Sequence, residues 1–437
     1  MKIITFLIIL IEISFGNYKI IPSKRGYSAL DRMPKGRVAD MRNIPQDPLY
    51  YAKQIRHIPY SKQLQRDRNS NYEFFKPWRQ SSFNEPIRDV TWAFRMLKKR
   101  RDLYKTRYRR ISRASCNFWI KNSNMRAYDT IGAKAITIKD SNLRAVPTAT
   151  RIFLNPNRKT EGFPFDYNQN SAIHLNVPLY ISHYSKNGKW ALVHSAAAYG
   201  WIKTRDIAIV DNSFINKFKT GKYGIVVKDN SKLIGNGKVV AHLKIGTIFP
   251  IKGSKLLFAQ RDGNKAIVAS LKRPSPSLVA KKPLQFTPKN VAYIARQMKD
   301  EPYAWGGILH GRDCSATTRD LLSCFGIFLP RNSSDQARKG NYISIKRFKG
   351  RAKKNVILRY AKPFESLLFV PGHIGIYMGR YKNEPVIMHT YWGVRKKNFS
   401  KYRLSRTIIT TLEPGKERRD LRQKSKMSNT LKAIINF

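Results

Sequence analysis

Apolar positions Val90, Ala93, Phe94, Leu97, Tyr104, Tyr108 and Ile111 recur at helical spacing, which predicts one long amphipathic helix from Val90 through Ser112. Its other face carries Lys98, Lys99, Arg100, Arg101, Lys105, Arg107, Arg109 and Arg110, either a solvated stripe or a dock for an anionic polymer or membrane. Upstream, residues 17 to about 85 are rich in Arg, Pro, Asn and Tyr and keep no period, so they read as an extended arm with short helices. From about 135 the texture turns to short β-rich runs, "AITIKD", "NVPLYISHYS", "KWALVHS" and "AYGWIKTRDIAIV", broken by Asn, Gly, Pro and Asp clusters. That spacing predicts a small β-barrel over 126–210, and the runs "YGIVVKD", "VVAHLKIGTIFPI", "LLFAQRDG" and "KAIVASL" predict a second over 211–275. The Pro-rich "LKRPSPSLVAKKPLQFTP" reads as a linker near 272–287. A last domain follows over 286–412. There "TPKNVAYIARQMKD" is a helix with Thr287 or Asn290 as candidate cap, and a second helix opens at Cys314, turns Leu321, Leu322 and Phe325 inward and stops at Gly326. "IGIYMG" and "VIMHTYW" alternate as strands, and the basic stretch 413–437 reads as a flexible tail. The pattern is that of a multidomain α+β chain.

Composition narrows the setting. With 437 residues and 42% hydrophobic content there is material for more than one core. Eighty-four Lys and Arg against 27 Asp and Glu leave a net charge of +57, which calls for anionic surroundings. No finger, helix-turn-helix or RNA-binding signature accompanies that charge, so nucleic acid is not the expected partner. Met1-Lys2, the apolar run Ile3 to Ile11 and the small-x-small end at Ser14-Phe15-Gly16 describe a cleavable export signal over 1–16. The run is too short to span a bilayer, and no Cys follows it for lipid attachment. Expected, therefore, is a protein exported to the periplasm or envelope without a transmembrane anchor. Three cysteines, Cys116, Cys314 and Cys324, do not make a disulfide scaffold. On one helix Cys314 and Cys324 stand about 15 Å apart, beyond the roughly 7 Å limit for a bridge. Cys116, in "RASCNFWI", has the surroundings of a packing residue.

Cys314 is the chemically interesting thiol. At a helix start it feels the positive end of the backbone dipoles, which favours the thiolate. His373 follows a Pro-Gly turn and opens the first strand, and His389 lies on the next. A turn around Tyr381 places the two histidines opposite each other, whereas a turn centred on Asn383 and Glu384 shifts them apart. One can act as general base toward the thiol and the other can fix its tautomer. No metal or other cofactor is called for.

The motifs "EPYAWGG", "DCSA", "GIFLPRNSSDQ" and "GHIGIYMG", in this order over roughly 288–395, resemble those of the NlpC/p60 cell-wall cysteine peptidases, which have a papain-like fold. The resemblance implies Cys314 as nucleophile, His373 as general base and His389 as the orienting third residue. It also implies a substrate, the peptidoglycan stem peptide, cut between D-glutamate and the diamino acid. In relatives that require a free N-terminal L-alanine, the positions of Asp313 and Ser315 and an Asp-Ser pair after "LPR" contact that end. Here the pair is Asn332-Ser333, which lacks the carboxylate. Tyr303 and Trp305 are expected along the cleft. "DSNLRAVPTATRIF" with the runs after it resembles the bacterial Src-homology-3-like barrel of a multidomain branch, whose barrel walls the cleft, which makes Tyr199 and Trp201 of "AYGWI" candidates for that wall. An N-terminal helical segment, here 17–125, docks on the whole in that branch. Three competing readings are a wall-binding protein with an altered site, an amidase or acyltransferase of the same fold, and an envelope polyanion binder resting on charge alone.

Overall fold

The computed structural model describes residues 17–23, 28–157 and 162–437; the export signal predicted over 1–16 lies outside them. The N-terminal segment contains strand β1 (Tyr18–Pro22) and helices α1 (Asp40–Asn43), α2 (Pro48–Ala52), α3 (Tyr60–Phe74), α4 (Ile87–Val90), α5 (Trp92–Lys99) and α6 (Arg113–Asn122). It forms a strap across the other units. β1 pairs antiparallel with a strand of the second β unit, Tyr18 facing Gly235. Further on, Gly36 N donates to Arg403 O (2.8 Å), and the Asp40 carboxylate accepts from Thr411 N (2.7 Å) and Thr411 Oγ1 (2.8 Å).

Of the long helix expected over 90–112 only α5 forms, and α6 begins beyond that span. α5 ends at Arg100, which turns extended, and α6 begins after Ser112, whose hydroxyl accepts from Ser115 N. Between them Leu103 is buried and Tyr104 exchanges backbone hydrogen bonds with Phe153, while Arg107 and Tyr108 take left-handed backbone angles. The helical recurrence of Tyr104, Tyr108 and Ile111 was a coincidence of spacing in a chain drawn onto the first β unit. Cys116 packs with Phe94, Leu97, Trp119 and Ile152, as a core residue would.

The first β unit comprises β2 (Ala133–Thr137), β3 (Ser141–Arg144), β4 (Gln169–Ile173), β5 (Pro178–Tyr184), β6 (Trp190–His194), β7 (Tyr199–Lys203) and β8 (Ile207–Ile209), in the order β8-β2-β5-β6-β7-β3-β4. Alternation puts Ala135, Leu143, Leu179, Ile181, Ala191, Val193 and Ile202 inside. After α7 (Asn212–Phe218), the second unit contains β9 (Tyr223–Val226), β10 (Ser231–Gly235), β11 (Lys238–Leu243), β12 (Ile248–Lys252), β13 (Lys255–Asp262), β14 (Lys265–Lys272) and β15 (Val279–Lys282). The expected linker is therefore partly sheet. β15 pairs along β9 from Val279↔Val226 to Lys282↔Tyr223, with Val279 and Ala280 buried. Its Pro-rich flanks hid a strand of only four residues.

The C-terminal unit has α8 (Pro288–Met298), α9 (Cys314–Ser323), α10 (Ser333–Lys339), β16 (Asn341–Ser344), α11 (Gly350–Tyr360), β17 (Ser366–Val370), β18 (His373–Tyr381), β19 (Glu384–Arg395), β20 (Lys401–Thr411), α12 (Met427–Thr430) and β21 (Ala433–Asn436). Thr287 caps α8, its hydroxyl accepting from Asn290 N. The sheet runs β16-β21-β17-β18-β19-β20, so the supposed flexible tail ends as an interior strand. Lys and Arg dominate the composition of 413–426 and masked the apolar run Ala433-Ile434-Ile435, all of it fully buried. Ile434→Ala is expected to cost roughly 2–5 kcal/mol, read as a fall in the denaturant midpoint at unchanged slope. One core joins the units: Tyr51, Trp78, Phe218, Ile225, Val291, Ile294, Leu321, Phe325, Ile376 and Met388 belong to a single apolar cluster.

Candidate active site

The start of α9 is held by side chains on three sides. Asp313 caps the helix, its Oδ1 accepting from Ala316 N (3.0 Å), while Oδ2 accepts from Gly306 N (3.0 Å) at the turn Trp305–His310. Gln336 of α10 donates to Ser315 O (2.8 Å) and Pro330 O (2.9 Å) and accepts from Thr318 Oγ1 (2.6 Å), so "LPRNSSDQ" is bolted to the first turn of α9. On the sheet side, Thr317 Oγ1 meets Thr390 Oγ1, which in turn meets Thr407 Oγ1 at 2.7 Å. Cys314, which emerges from this frame, is 9% exposed, and the backbone N–H groups of Ser315 and Ile374 favour its thiolate. The second of these belongs to the residue after His373.

A β-bulge decides which face of the sheet each histidine occupies. The β18–β19 hairpin turns at Lys382 and Asn383, both with positive φ, and Tyr381 pairs with Glu384. Continued without interruption, that register would set His389 opposite Ile376, on the face away from His373. The bulge between Tyr377 and Gly379 shifts it, so that Ile376 faces Met388 and His389 stands over Gly375. A Cβ at Gly375 would lie 2.8 Å from the Cβ of His389, and Gly379 takes φ +124° at the bulge. His373 and His389 are then diagonal neighbours on one face, His373 Nε2 to His389 Nδ1 at 2.9 Å. The actual turn lies between the two considered from sequence.

The hydrogen bonds fix the tautomers. Thr410 Oγ1 donates to Thr411 O (2.8 Å), which leaves it an acceptor toward His389 Nε2 at 3.2 Å. His389 therefore carries its proton on Nε2 and offers Nδ1 to His373 Nε2–H. His373 is left with an unprotonated Nδ1. Tyr391 stacks on His389 at 4.7 Å and lies tilted against His373 at 4.9 Å. Burial, reinforced by Lys401, holds His373 down to about 3; burial and His373 hold His389 well below the usual histidine range. Burial and then the Asp313 charge push the Cys314 thiol up to about 12, against the helix-dipole expectation of a ready thiolate. At neutral pH a neutral thiol sits beside the strand that carries a neutral imidazole.

A cleft of about 870 Å³ opens over Cys314, walled by three of the four parts of the chain: Asp89 and Trp92 from the N-terminal segment, Gln169 and Tyr199 from the first β unit, Trp305 and Asn332 from the last. Every residue expected to contact substrate lines it, namely Tyr303, Trp305, Asp313, Ser315, Asn332, Ser333 and Tyr199. His373 and His389 are not among its lining residues, although Gly372 is. Trp305 is 38% exposed, whereas Tyr303 is buried against Phe165 and Trp392. Tyr199 Oη donates to Asp89 O (3.2 Å), but Trp201 is fully buried and packs in the barrel. Asn332 Nδ2 donates to Asp335 Oδ2 (3.1 Å).

Sequence reasoning did not single out Arg331, Thr410 or Tyr391. Arg331 sits inside a quoted motif, and a basic residue flanked by Pro and Asn gives no sign of being buried. Its Nη1 and Nη2 donate to Asp313 Oδ1 (3.0 Å) and Oδ2 (2.6 Å), Nη1 also to Ser315 Oγ (2.8 Å), and Nε to Ser171 Oγ of β4 (3.0 Å). Burial alone would raise the Asp313 carboxyl, but the Arg331 charge with the Ala316 and Gly306 N–H groups holds it below its usual range.

A thiol at a helix start, backed by two adjacent strands that carry coupled imidazoles, places the C-terminal unit among papain-like folds of mixed α+β type. Within that class the chain carries an NlpC/P60 catalytic domain preceded by an SH3b and a stabilising domain: residues 300–410 match the NlpC/P60 family, 151–203 an SH3 domain of SH3b1 type, and 6–128 the N-terminal NLPC_P60 stabilising domain. Among solved structures, an NlpC/P60 endopeptidase from Photobacterium damselae subsp. piscicida is similar over 92% of this chain and 99% of its own, with a TM-score of 0.81 at 23% identity. An NlpC/P60 family protein from Bacillus cereus ATCC 10987 is similar over 70% of this chain and 99% of its own, with a TM-score of 0.44 at 14% identity. None of the curated proteins matches the chain. Peptidoglycan-hydrolase domains of this kind fit an envelope or extracellular place of action, and no helix among the described residues is long and apolar enough to cross a membrane.

Proposed function

We propose that this protein is an exported cysteine endopeptidase that hydrolyses the γ-D-glutamyl to meso-diaminopimelate bond of peptidoglycan stems. The observation that carries the reading is the relay Thr410–His389–His373, which leaves His373 Nδ1 unprotonated at the start of the strand that packs against α9. His373 takes the thiol proton as the sulfur attacks the scissile carbonyl, so thiolate forms only as it is consumed. The Cys314 N–H at the helix start stabilises the tetrahedral oxyanion. The imidazolium then protonates the leaving amine, and the thioacyl enzyme is hydrolysed by a water that gives its proton to the same Nδ1. His389 holds the ring in the working tautomer throughout.

In this reading the first barrel, 126–210, walls the cleft, the second, 211–275, and the arm, 17–125, brace the assembly, and the signal 1–16 directs export. The charge of +57 holds the protein against an anionic wall. Asp313, Ser315, Trp305, Tyr303, Tyr199, Ser333 and Asn332 are the stem-peptide contacts. The test is mass spectrometry of fragments released from purified peptidoglycan by the full chain. A new amino terminus on diaminopimelate is the expected product; cleavage at the lactyl amide or at a cross-link instead would assign the site to an amidase or to another endopeptidase.

A further inference from the structure

We propose that Arg331 is a positioning residue for the Cys314 thiol: its guanidinium cancels the Asp313 carboxylate beside the sulfur and ties the start of α9 to the first β unit. For its turnover arm this rests on the peptidase reading; for thiol reactivity it does not. Three observations converge. Arg331 is 3% exposed and Asp313 7%, so their paired hydrogen bonds at 3.0 and 2.6 Å operate with little solvent screening. Asp313 immediately precedes Cys314 in the chain, and a bare carboxylate there opposes every step that builds negative charge on sulfur. The same guanidinium reaches Ser171 of β4, and Arg331 N donates to Ala197 O (3.0 Å), both in the first β unit.

The contact with β4 continues beyond Arg331. Gln169 Nε2 donates to Gly306 O (3.2 Å), and a Cβ on Gly306 or Gly307 would meet Gln169 O at 2.6 Å or the Ala172 Cβ at 2.7 Å. The turn that donates Gly306 N to Asp313 is thus moulded on β4. The first β unit is part of the frame that aims the thiol as well as a wall of the cleft. The charged and titratable groups acting on the thiol are Asp313, Arg331 and Tyr303, with His373 on the neighbouring strand; Lys401 and Asp313 act on His373 in turn.

The test is the second-order rate of iodoacetamide alkylation at Cys314 in the full chain at one near-neutral pH, where the rate follows the thiolate fraction, located by peptide mapping so that Cys116 and Cys324 do not contribute, together with kcat and KM on peptidoglycan. Arg331→Met is expected to lower that rate about 10-fold and to lower kcat about 10²-fold with little change in KM. Asp313→Asn in the same chain removes the uncancelled charge while Asn still caps the helix. The double variant should bring the alkylation rate back to within about 3-fold of wild type and recover roughly 10-fold in kcat. An unchanged alkylation rate in Arg331→Met, or a double variant no better than the single, overturns the proposal, because a merely structural arginine would not be rescued by losing its partner. Should the Met variant fail to fold, Arg331→Lys keeps the charge and is expected within about 2-fold of the wild-type rate; a fall of about 10-fold there overturns it equally. Ser171→Ala is expected to lower kcat a few-fold at constant KM, and unchanged kcat would remove β4 from the frame.

Discussion

Cys314→Ala protein, incubated with purified peptidoglycan, is expected to release no stem-peptide fragments above background, a loss on the order of 10⁴-fold or more in kcat. Alanine deletes one atom from a site that is already 9% exposed, so the thermal midpoint should move little. The capping bonds from Asp313 and the Gln336 contacts do not involve the sulfur. Loss of turnover at constant stability therefore isolates the chemistry. Cys324, also on this stretch, is fully buried with its sulfur on Asp320 O (3.5 Å) and cannot take over. Equal fragment release by wild type and variant would remove Cys314 from the mechanism and leave the cleft as a binding site.

The parts of this site that were legible in sequence are those set by local physics. A helix opening at Cys314 follows from the apolar spacing behind it, Thr287, one of two candidate caps, is the one used, and alternation in "GHIGIYMG" and "VIMHTYW" specifies two strands. What resisted reading is set by a single residue or by a distant partner. Whether His389 shares a face with His373 depends on the bulge between Tyr377 and Gly379, and two turn positions had to be left open because a one-residue shift changes the answer. Arg331 looks like one of many basic residues until Asp313 and Ser171 are seen around it. Tyr104 kept a helical period while pairing with Phe153, and Ile434 was masked by its basic neighbours although it lies between two strands of the sheet.

That dependence on one register makes the two histidines separable by mutation. His373→Ala removes the imidazole whose Nδ1 the relay leaves unprotonated, and kcat is expected to fall about 10³–10⁴-fold with KM within a few-fold. His389→Ala leaves His373 in place but deletes the acceptor for its Nε2–H. The ring then loses its preference for the tautomer with a bare Nδ1, and a fall of roughly 10–10² follows. Thr410→Val acts one step further out. Without its hydroxyl, His389 can carry its proton on Nδ1 instead and oppose His373, so a loss of several-fold is expected, smaller than for His389→Ala. The order His373, then His389, then Thr410 is what a one-directional relay requires, and steady-state kinetics on peptidoglycan measures it. If His389→Ala proved the more damaging, His389 would be the base and His373 its support. Because burial holds His373 down to about 3, the base is already neutral across the physiological range. The acid limb of kcat/KM for wild type is therefore expected below pH 5, and a limb near the ordinary histidine value of about 6.5 would show an imidazole that protonates freely before substrate binds.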